Sequence, residues 1–455
     1  MGRGAQINRN KAAPGGDTAF SDINRKRYRA GLASRVLIIG GGPAGLTAAI
    51  AASRAGADVA IADRMSRVGK KLLASGNGRC NLSNASVTRR NYHGSGAEAA
   101  YSIINKFDKH FVNDFFKSVG VLTAIEDQSR VYPATFSSQT VLNALRAEAG
   151  RLGVVEMCAH EAFNIKFMGK KLLTSFRDKP GYLSDAVVIA TGGKASPFLG
   201  SDGSGYGLLT AFGHGIVAPS PALAPLRLAE REIRGLKGVR VRAGLTLIVN
   251  GDGGVYREAG ELIFSEYGVS GIPALNASCH MARYAHEARR PGFTLSLDLF
   301  PDLSFDGLKM FLEQRLNHIP QIPFIEILNC VSNKRVAALV LERAGINDNR
   351  APGAGCEAYA VRLAEILKDW RIEVTGVKGF ESAQATYGGL SFADFSADTL
   401  ESKLVTGIYA AGEVLDATGD CGGYNLHWAW ISGYLAGMRA ARAPSVFIDY
   451  VMRLD

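Results

Sequence analysis

The sequence has few of the features that mark secreted, metal-binding or disulfide-rich proteins. Its 455 residues include six cysteines, and none of them forms a C-x-x-C pair. Neither a zinc site nor a dithiol redox centre is therefore indicated, and we expect no bound metal. Scattered thiols of this kind fit a reducing cytosol, so we expect a cytoplasmic protein. Residues 1–33 hold no apolar segment of the kind that a secretory signal needs.

The sequence also lacks an unbroken apolar run long enough for a membrane helix. An uncharged stretch lies between Arg35 and Arg54, and its hydropathy alone would suit a membrane span. Four glycines and Pro43 interrupt it where such a helix must be continuous. We therefore predict no membrane span.

The charge balance is basic. The chain has 52 lysines and arginines against 42 aspartates and glutamates, a net charge of +10. Residues 1–33 hold seven basic and two acidic residues, so half of the excess lies there. We interpret this segment as a disordered, solvated tail. A basic surface or tail also leaves RNA open as a partner, although a small molecule is the favoured substrate.

The clearest pattern begins with an apolar run at 36–39, which is typical of a buried parallel strand. Gly40, Gly42 and Gly45 follow with the G-x-G-x-x-G spacing. In such a turn the first glycine allows a tight bend, the second lets a pyrophosphate approach the backbone, and the third lets the helix pack on the strand. A second apolar run ends at Asp63, where an acid can bind a ribose hydroxyl. Together these features predict a dinucleotide site at a helix N-terminus.

The loop after Asp63 is rich in glycine and in basic side chains. Arg64, Lys71 and Arg79 place hydrogen-bond donors beside the predicted pyrophosphate and ring. Cys80 lies in the same loop, but a redox role would need a lowered pKa and a partner, and no second cysteine is near in sequence. We therefore interpret Cys80 as a residue that shapes the cofactor pocket.

The same loop carries the segment by which the chain resembles a known family. Residues 78–84 read Gly-Arg-Cys-Asn-Leu-Ser-Asn and match a signature of the BaiN/YhiN-type flavoproteins, bacterial FAD-dependent oxidoreductases with an inserted domain. Other segments similar to the family are Arg-Val-Tyr-Pro at 130–133, Thr-Gly-Gly at 191–193 and the stretch 422–433. The resemblance covers about residues 34–441 and implies FAD, rather than NAD, as the bound cofactor.

The resemblance and the residue pattern together give the predicted cofactor contacts. They are Gly40, Gly42, Pro43, Ala44, Gly45, Asp63, Arg64, Lys71, Asn77, Gly78, Arg79, Cys80, Asn81, Ala190, Thr191, Gly192, Gly193, Gly412, Glu413, Asp416, Gly423, Tyr424, Asn425 and Leu426. No attachment motif is present, so we expect non-covalent FAD. No second nucleotide-binding βαβ unit is present either, so a nicotinamide donor, NAD(P)H, would visit the flavin transiently.

The pattern of apolar and polar residues changes at about residue 217. Short alternating strands with glycine turns, such as 239–249, are typical of a small barrel. Helical spacing follows over about 300–355, with Leu308, Phe311 and Leu312 on one face, and strand character returns at 372–377. Before the barrel, helices are predicted over 97–120 and 137–151. The prediction is an α/β protein: a Rossmann-like FAD-binding domain formed by residues 34–216 and 386–455, with a β-barrel and helical lobe inserted at 217–385.

The resemblance implies an FAD-dependent oxidoreductase that reduces activated carbon–carbon double bonds by hydride transfer from flavin N5, with steroid-like and pyrimidine compounds among the substrates. Three alternatives stay open: a uridine reductase acting on ribosomal RNA, an amine oxidase that produces peroxide, and an FAD-containing binding protein without turnover. Candidates for the proton donor are Cys80, Tyr132 and His427, although each also has a plausible structural role. The family commonly has glutamine at the position of His427, which argues for a structural role there.

Overall fold

The computed structural model describes residues 33–126, 129–229, 232–250, 253–284, 292–353 and 357–441. The predicted basic tail (apart from its last residue), Cys356 and the stretch 442–455 lie outside the described residues.

The strands are β1 (Arg35–Ile39), β2 (Asp58–Asp63), β3 (Ser83–Asn84), β4 (Tyr92–His93), β5 (Thr123–Glu126), β6 (Arg130–Pro133), β7 (Val155–Cys158), β8 (Ala162–Met168), β9 (Lys171–Phe176), β10 (Lys179–Ser184), β11 (Ala186–Ile189), β12 (Ile216–Ala222), β13 (Leu226–Leu228), β14 (Arg240–Val249), β15 (Gly253–Phe264), β16 (Gly268–Ser270), β17 (Phe293–Asp298), β18 (Trp370–Val377), β19 (Ala385–Leu390), β20 (Ile408–Ala410) and β21 (Thr418–Gly419).

The helices connect these strands. They are α1 (Pro43–Arg54), α2 (Lys70–Ala74), α3 (Ala97–Ile104), α4 (Phe111–Ser118), α5 (Ser138–Arg151), α6 (Tyr206–Thr210), α7 (Ile272–Arg283), α8 (Phe305–His318), α9 (Phe324–Asn329), α10 (Lys334–Arg343), α11 (Glu357–Lys368) and α12 (Tyr424–Ala440). The helix predicted over 97–120 is two helices, α3 and α4. A carboxylate oxygen of Asp108 accepts a hydrogen bond from the His110 backbone N–H at 2.6 Å, and such an Asx turn favours a break in the helix.

A parallel sheet forms the centre of the cofactor-binding domain. Its strand order is β20-β11-β1-β2-β7, and all of its neighbouring strands run parallel. The apolar run of β1 is fully covered, as expected for a central strand with helices on both faces. Strand β20 follows the barrel in sequence but pairs with β11, so two separate segments of the chain build one sheet.

Helices α1 and α12 cross at very short range beside this sheet. A Cβ atom added at Gly433 would lie 2.3 Å from the backbone oxygen of Ala44, and one at Gly437 would lie 2.2 Å from that of Ala48. Only glycine permits this approach. The contact holds the middle of α12, which comes from the last segment of the chain, against the first turns of α1.

The inserted region is a closed barrel with a helical lobe. Its strand order is β13-β16-β15-β14-β17-β18, and the pairing of β13 with β18 closes it. Helices α8 to α11 lie between β17 and β18 in sequence and share one hydrophobic core with the barrel. Leu308 and Leu312 are buried as predicted, whereas Phe311 is 44% exposed and does not belong to this core. Strands β12 and β19 pair with each other and connect the barrel to the cofactor-binding domain.

The predicted fold class is confirmed by this architecture: a Rossmann-type domain in two segments, a barrel and helices. Among the helices in the described part of the chain, none is both long enough and apolar enough to cross a membrane.

Candidate active site

A cavity of about 1090 Å³ lies at the carboxyl ends of the parallel strands. Residues that follow β1, β11 and β20 form one part of its wall, and residues 258–261 of barrel strand β15 form another. Ligands of open parallel sheets bind at this edge. The volume slightly exceeds the usual range for small-molecule sites, which leaves room for a dinucleotide and a second compound.

The three glycines of the first turn have three different surroundings. Gly40 has a φ of +104°, and a Cβ there would lie 2.4 Å from the backbone oxygen of Ala190. A Cβ at Gly45 would lie 1.8 Å from the backbone oxygen of Gly40. At Gly42, by contrast, no atom lies within 4 Å of an added Cβ. Gly40 and Gly45 are therefore needed by the fold, while Gly42 keeps open the space in front of the helix N-terminus.

Asp63 closes the side of this turn at the end of β2. Its two carboxylate oxygens accept hydrogen bonds from the backbone N–H groups of Gly41 and Met65, each at 2.7 Å. Burial raises the pKa of Asp63, and these two hydrogen bonds oppose the rise. Asp63 also lines the cavity.

An ion pair joins the two segments of the cofactor-binding domain across the cavity wall. Lys71 Nζ lies 2.8 Å from a carboxylate oxygen of Glu413, and the other oxygen of Glu413 accepts from the backbone N–H of Thr386 at 2.9 Å. Arg64 forms a second ion pair, with Asp202. Lys71, Glu413 and Arg64 all line the cavity. The basic loop predicted to face a pyrophosphate is therefore held in place by acids from distant parts of the sequence.

In the cavity wall, two buried polar side-chain atoms have no hydrogen-bond partner among the described residues. They are the side-chain oxygens of Asn81 and Thr191. Buried polar atoms are nearly always hydrogen-bonded in folded proteins, so unpaired ones at a cavity indicate a polar ligand. Together with the open space at Gly42, they fit a bound dinucleotide with hydrogen-bonding groups along its length.

Most of the predicted cofactor contacts line this cavity. Those that do are Gly40, Gly42, Pro43, Ala44, Asp63, Arg64, Lys71, Asn77, Arg79, Asn81, Ala190, Thr191, Gly192, Gly412, Glu413, Gly423, Asn425 and Leu426. Those that are absent from its wall are Gly45, Gly78, Cys80, Gly193, Asp416 and Tyr424.

Asp416 illustrates why a predicted contact lies elsewhere. It is fully buried, and its carboxylate accepts hydrogen bonds from the backbone N–H and the hydroxyl of Ser95, at 2.7 and 2.6 Å, and from the backbone N–H of Gly388 at 3.1 Å. These bonds tie the connecting strand β19 to the cofactor-binding domain. Asn425 does line the cavity, but its side chain exchanges two 2.8 Å hydrogen bonds with the backbone of Gly419.

The three candidates for the proton donor have different positions. Cys80 is fully buried outside the cavity wall, and burial raises its pKa to about 12. His427 is buried as well; its Nδ1 lies 2.7 Å from the hydroxyl of Ser83, and burial lowers its pKa to about 4. Neither side chain lines the cavity, whereas Tyr132 does.

The barrel contributes acidic groups that the sequence patterns did not indicate. Glu258 of β15 lines the cavity, and its carboxylate is hydrogen-bonded to the hydroxyl of Tyr256 and, at 3.0 Å, to the side-chain nitrogen of Asn276. The side-chain oxygen of Asn276 in turn accepts from the backbone N–H of Cys421 at 2.7 Å. This network joins the barrel to the loop before α12. No short-range motif marks Glu258, because the register of β15 alone brings it to the cavity.

A second acid stands beside this network. Asp420 lines the cavity, and its carboxylate lies 2.6 Å from Nε2 of His93. The ring of His93 contacts that of His280, which in turn packs against Tyr256 of the barrel. Burial lowers the pKa of His280 to about 4, so this ring is neutral at physiological pH. Acidic, aromatic and histidine side chains therefore fill the contact between the barrel and the cofactor-binding domain.

Comparison with known proteins identifies the family of this chain. A family model described as the HI0933-like protein Rossmann domain matches residues 34–439. A 3-dehydro-bile acid delta(4,6)-reductase of Clostridium scindens is 34% identical over 413 residues, which are 90% of this chain and 100% of that protein. A ribosomal RNA dihydrouridine synthase of Escherichia coli is 29% identical over 426 residues, 90% of this chain and 98% of that protein.

Among solved structures, a 3-ketosteroid-delta4-(5alpha)-dehydrogenase of Rhodococcus jostii is 15% identical, covers 90% of this chain and 97% of that chain, and has a TM-score of 0.45. The family assignment depends on the sequence matches, which extend over nearly the whole described chain. The resemblance noted from the motifs is thereby confirmed: the chain belongs to the HI0933-like Rossmann family and is an FAD-dependent oxidoreductase.

Proposed function

We propose that this oxidoreductase reduces a carbon–carbon double bond conjugated to a carbonyl group, with NAD(P)H as the source of electrons. The observation that carries the proposal is the composition of the cavity wall. One side consists of the glycine turns and loops of the cofactor-binding domain, and the other consists of the barrel and the loop before α12. A cofactor on the first side leaves the second free for a substrate.

We assign the cofactor side to non-covalent FAD. The turn from Gly40 to Ala44 and the N-terminus of α1 would hold the pyrophosphate, Asp63 the ribose, and Asn81 and Thr191 polar atoms of the bound molecule. FAD, when bound, supplies the hydride that the reaction needs. The contribution of this chain is to bind the ring, to exclude water and to orient the substrate.

We assign the barrel side to the substrate. Glu258 and Asp420 are held by hydrogen bonds, so their carboxylates have fixed positions in the wall. Apolar side chains of the barrel region and its connections lie beside them in the same wall: Leu223, Ile263, Ile272, Pro273 and Leu275. An apolar ring compound that carries one polar group fits this mixture. The relative from Clostridium scindens, named as a bile acid reductase, supports a substrate of that class.

The proposal is tested by separating the two half-reactions. The purified holoenzyme is first reduced without oxygen by NADH or NADPH and then mixed with 4-androstene-3,17-dione, cyclohex-2-en-1-one or uridine. Reoxidation of the flavin by an enone, with one equivalent of saturated product, is the expected result. In a separate experiment the oxidised enzyme is mixed with aminoacetone; reduction of the flavin by this amine, followed by reoxidation by oxygen with peroxide as a product, would instead identify an oxidase.

A second candidate uses the same chemistry on uridine in ribosomal RNA. The relative from Escherichia coli, named as a ribosomal RNA dihydrouridine synthase, and the net charge of +10 favour it. Binding of RNA through lysines and arginines would weaken steeply with salt. Dihydrouridine formed in ribosomal RNA, but not in free uridine, would favour this candidate over a small-molecule substrate.

Two further assignments complete the proposal. We assign the protein to the cytosol, where NAD(P)H is available; the described cysteines, none of which forms a disulfide, agree with this. We also expect acid precipitation of the yellow protein to release FAD into the supernatant. Colour that stays with the pellet would contradict non-covalent binding.

A further inference from the structure

Among the residues that the structure describes, Tyr132 is the one tyrosine in the cavity wall. It lies on β6, only 7% of its surface is exposed, and it lines the cavity. Its hydroxyl forms no hydrogen bond with any residue that the structure describes, whereas Tyr256 is bonded to Glu258 and Tyr92 to the backbone of Tyr424. Buried tyrosine hydroxyls usually have a partner. A hydroxyl without one, in the wall of a cavity, is available to a bound molecule.

The ring of Tyr132 is held in place by its neighbours. The guanidinium carbon of Arg79 lies 4.6 Å from the centroid of the Tyr132 ring and 4.7 Å from that of Phe136. Arg79 is itself fixed by an ion pair with Glu126 on the neighbouring strand β5. The hydroxyl therefore has a defined position. A group that transfers a proton to one atom of a substrate needs such a fixed position.

We propose that Tyr132 is the proton donor of the double-bond reduction and that Arg79 is its positioning residue. This assignment depends on the proposed function. In the reaction the β carbon receives a hydride, the π bond breaks, and its electrons move toward the carbonyl oxygen. The α carbon then takes the phenolic proton, so that a C–H bond forms as the O–H bond breaks. NAD(P)H supplies both electrons, and the tyrosinate regains a proton from water.

The electrostatic surroundings suit a proton donor. Burial raises the pKa of Tyr132, so the phenol is protonated at neutral pH. Arg130 and Arg79 act in the opposite direction, while Glu126 and Cys421 add to the rise. The two guanidinium groups would stabilise the phenolate that forms once the proton has left.

The competing proton donor is Cys421. Its thiol also belongs to the cavity wall, and burial raises its pKa to about 11. A thiol with that pKa is protonated and could donate as well. Replacing Tyr132 and Cys421 one at a time separates the two candidates. Only loss of the proton donor should abolish reoxidation of the flavin by the enone, which is the second half-reaction.

The test compares Tyr132→Phe with Tyr434→Phe and Cys421→Ala in the FAD-loaded enzyme. Tyr434 is a matched control, since it packs against Phe107 and Phe111 and does not line the cavity. For Tyr132→Phe we expect flavin reduction by NAD(P)H at the wild-type rate. We expect reoxidation by 4-androstene-3,17-dione to fall by roughly 10²- to 10⁴-fold, the usual size of general acid catalysis. The Tyr434→Phe control should reoxidise within about threefold of the wild type, and Cys421→Ala should lose far less of this rate than Tyr132→Phe does.

An ultraviolet difference titration of wild type against Tyr132→Phe gives a readout that does not depend on turnover. Tyr132 should titrate above the ordinary tyrosine pKa, and Arg79→Met should raise that pKa further and slow reoxidation. A merely structural Arg79 would leave the titration unchanged, which would overturn the positioning role.

The outcomes separate this inference from the proposed function. A wild-type enzyme that accepts electrons from NAD(P)H but passes them to no enone overturns the proposed function and the role of Tyr132 together. Enone reduction by Tyr132→Phe at the wild-type rate overturns the role of Tyr132 alone. If only Cys421→Ala loses reoxidation, the thiol is the donor. If Tyr132→Phe does not bind FAD, the assignment is tested instead by the reoxidation rate of Arg79→Met and by the ultraviolet titration of Tyr132.

Discussion

The cofactor-binding domain and the inserted barrel contribute to one cavity in different ways. In the cofactor-binding domain, the groups at the cavity follow directly from local backbone geometry, as Gly42 does at the turn between β1 and α1. In the barrel, Glu258 reaches the cavity only because β15 pairs in one register with β14, where Glu258 is opposite Leu245. On the assignment proposed above, recognition of the dinucleotide depends on short segments of sequence, whereas recognition of the substrate depends on the register in which the barrel strands pair.

The largest expected effect tests the cofactor side. Gly42→Val should fold normally, because the φ of Gly42 is −79° and no atom lies within 4 Å of an added Cβ, but its methyl groups would occupy the pyrophosphate space. We expect FAD affinity to fall at least about 100-fold, which is roughly 2.7 kcal/mol. Equilibrium dialysis of the apoprotein with FAD, alongside thermal unfolding, measures both quantities.

Gly207→Val is the matched control for this change. Gly207 lies on α6, outside the cavity wall, and also has no atom within 4 Å of an added Cβ. It should keep FAD. If Gly42→Val bound FAD with wild-type affinity, the cofactor would not lie against this turn.

The second effect tests the barrel side. Glu258→Ala should retain FAD and its reduction by NAD(P)H, because Glu258 belongs to the wall that we assign to the substrate. The kcat/KM for an enone should fall by about 10- to 100-fold, since a hydrogen bond to a charged group contributes about 1.5–3 kcal/mol. Glu373→Ala is the control, because Glu373 is an exposed residue of β18 in the same barrel. Loss of FAD in Glu258→Ala would contradict the division of the cavity.

The third effect concerns a residue inside the family signature. Cys80→Ala should keep FAD and both half-reactions, because the thiol is buried outside the cavity wall and its pKa is raised to about 12. The loss of its packing should lower the free energy of unfolding by about 1–2 kcal/mol. Denaturant unfolding and stopped-flow kinetics together measure this. Normal FAD content with no hydride transfer would show that Cys80 takes part in the chemistry.

The smallest effect concerns residues 1–33. Their deletion should leave FAD content and flavin reduction unchanged, because no described cavity residue precedes Ile39. If RNA is a substrate, the deletion should weaken RNA binding and reduce its dependence on salt. Affinity for ribosomal RNA measured against salt concentration, for both lengths of chain, gives the answer. Strong binding that survives the deletion would assign the RNA surface to the folded part.

Much of the fold was predictable from the sequence. The strand–glycine–helix pattern at 36–54 and the alternation at 239–249 each appear as expected, because periodicity directly reflects which face of an element is buried. The break between α3 and α4 was missed, since the turn at Asp108 overrides an otherwise continuous apolar spacing. The exposure of Phe311 was also missed, because helical spacing does not show how wide the covered face is.

The sequence by itself determined the Rossmann turn, the two-segment cofactor domain and the presence of an inserted barrel. These depend on local φ preferences, on glycine and on apolar periodicity, all of which are readable over a few residues. The tertiary structure alone decided which polar groups share the cavity. Lys71 and Glu413 are 342 positions apart, and Asn276 joins Glu258 to the loop before α12 by hydrogen bonds. Such pairs have no signal in a single sequence, because chain folding and not spacing brings them together.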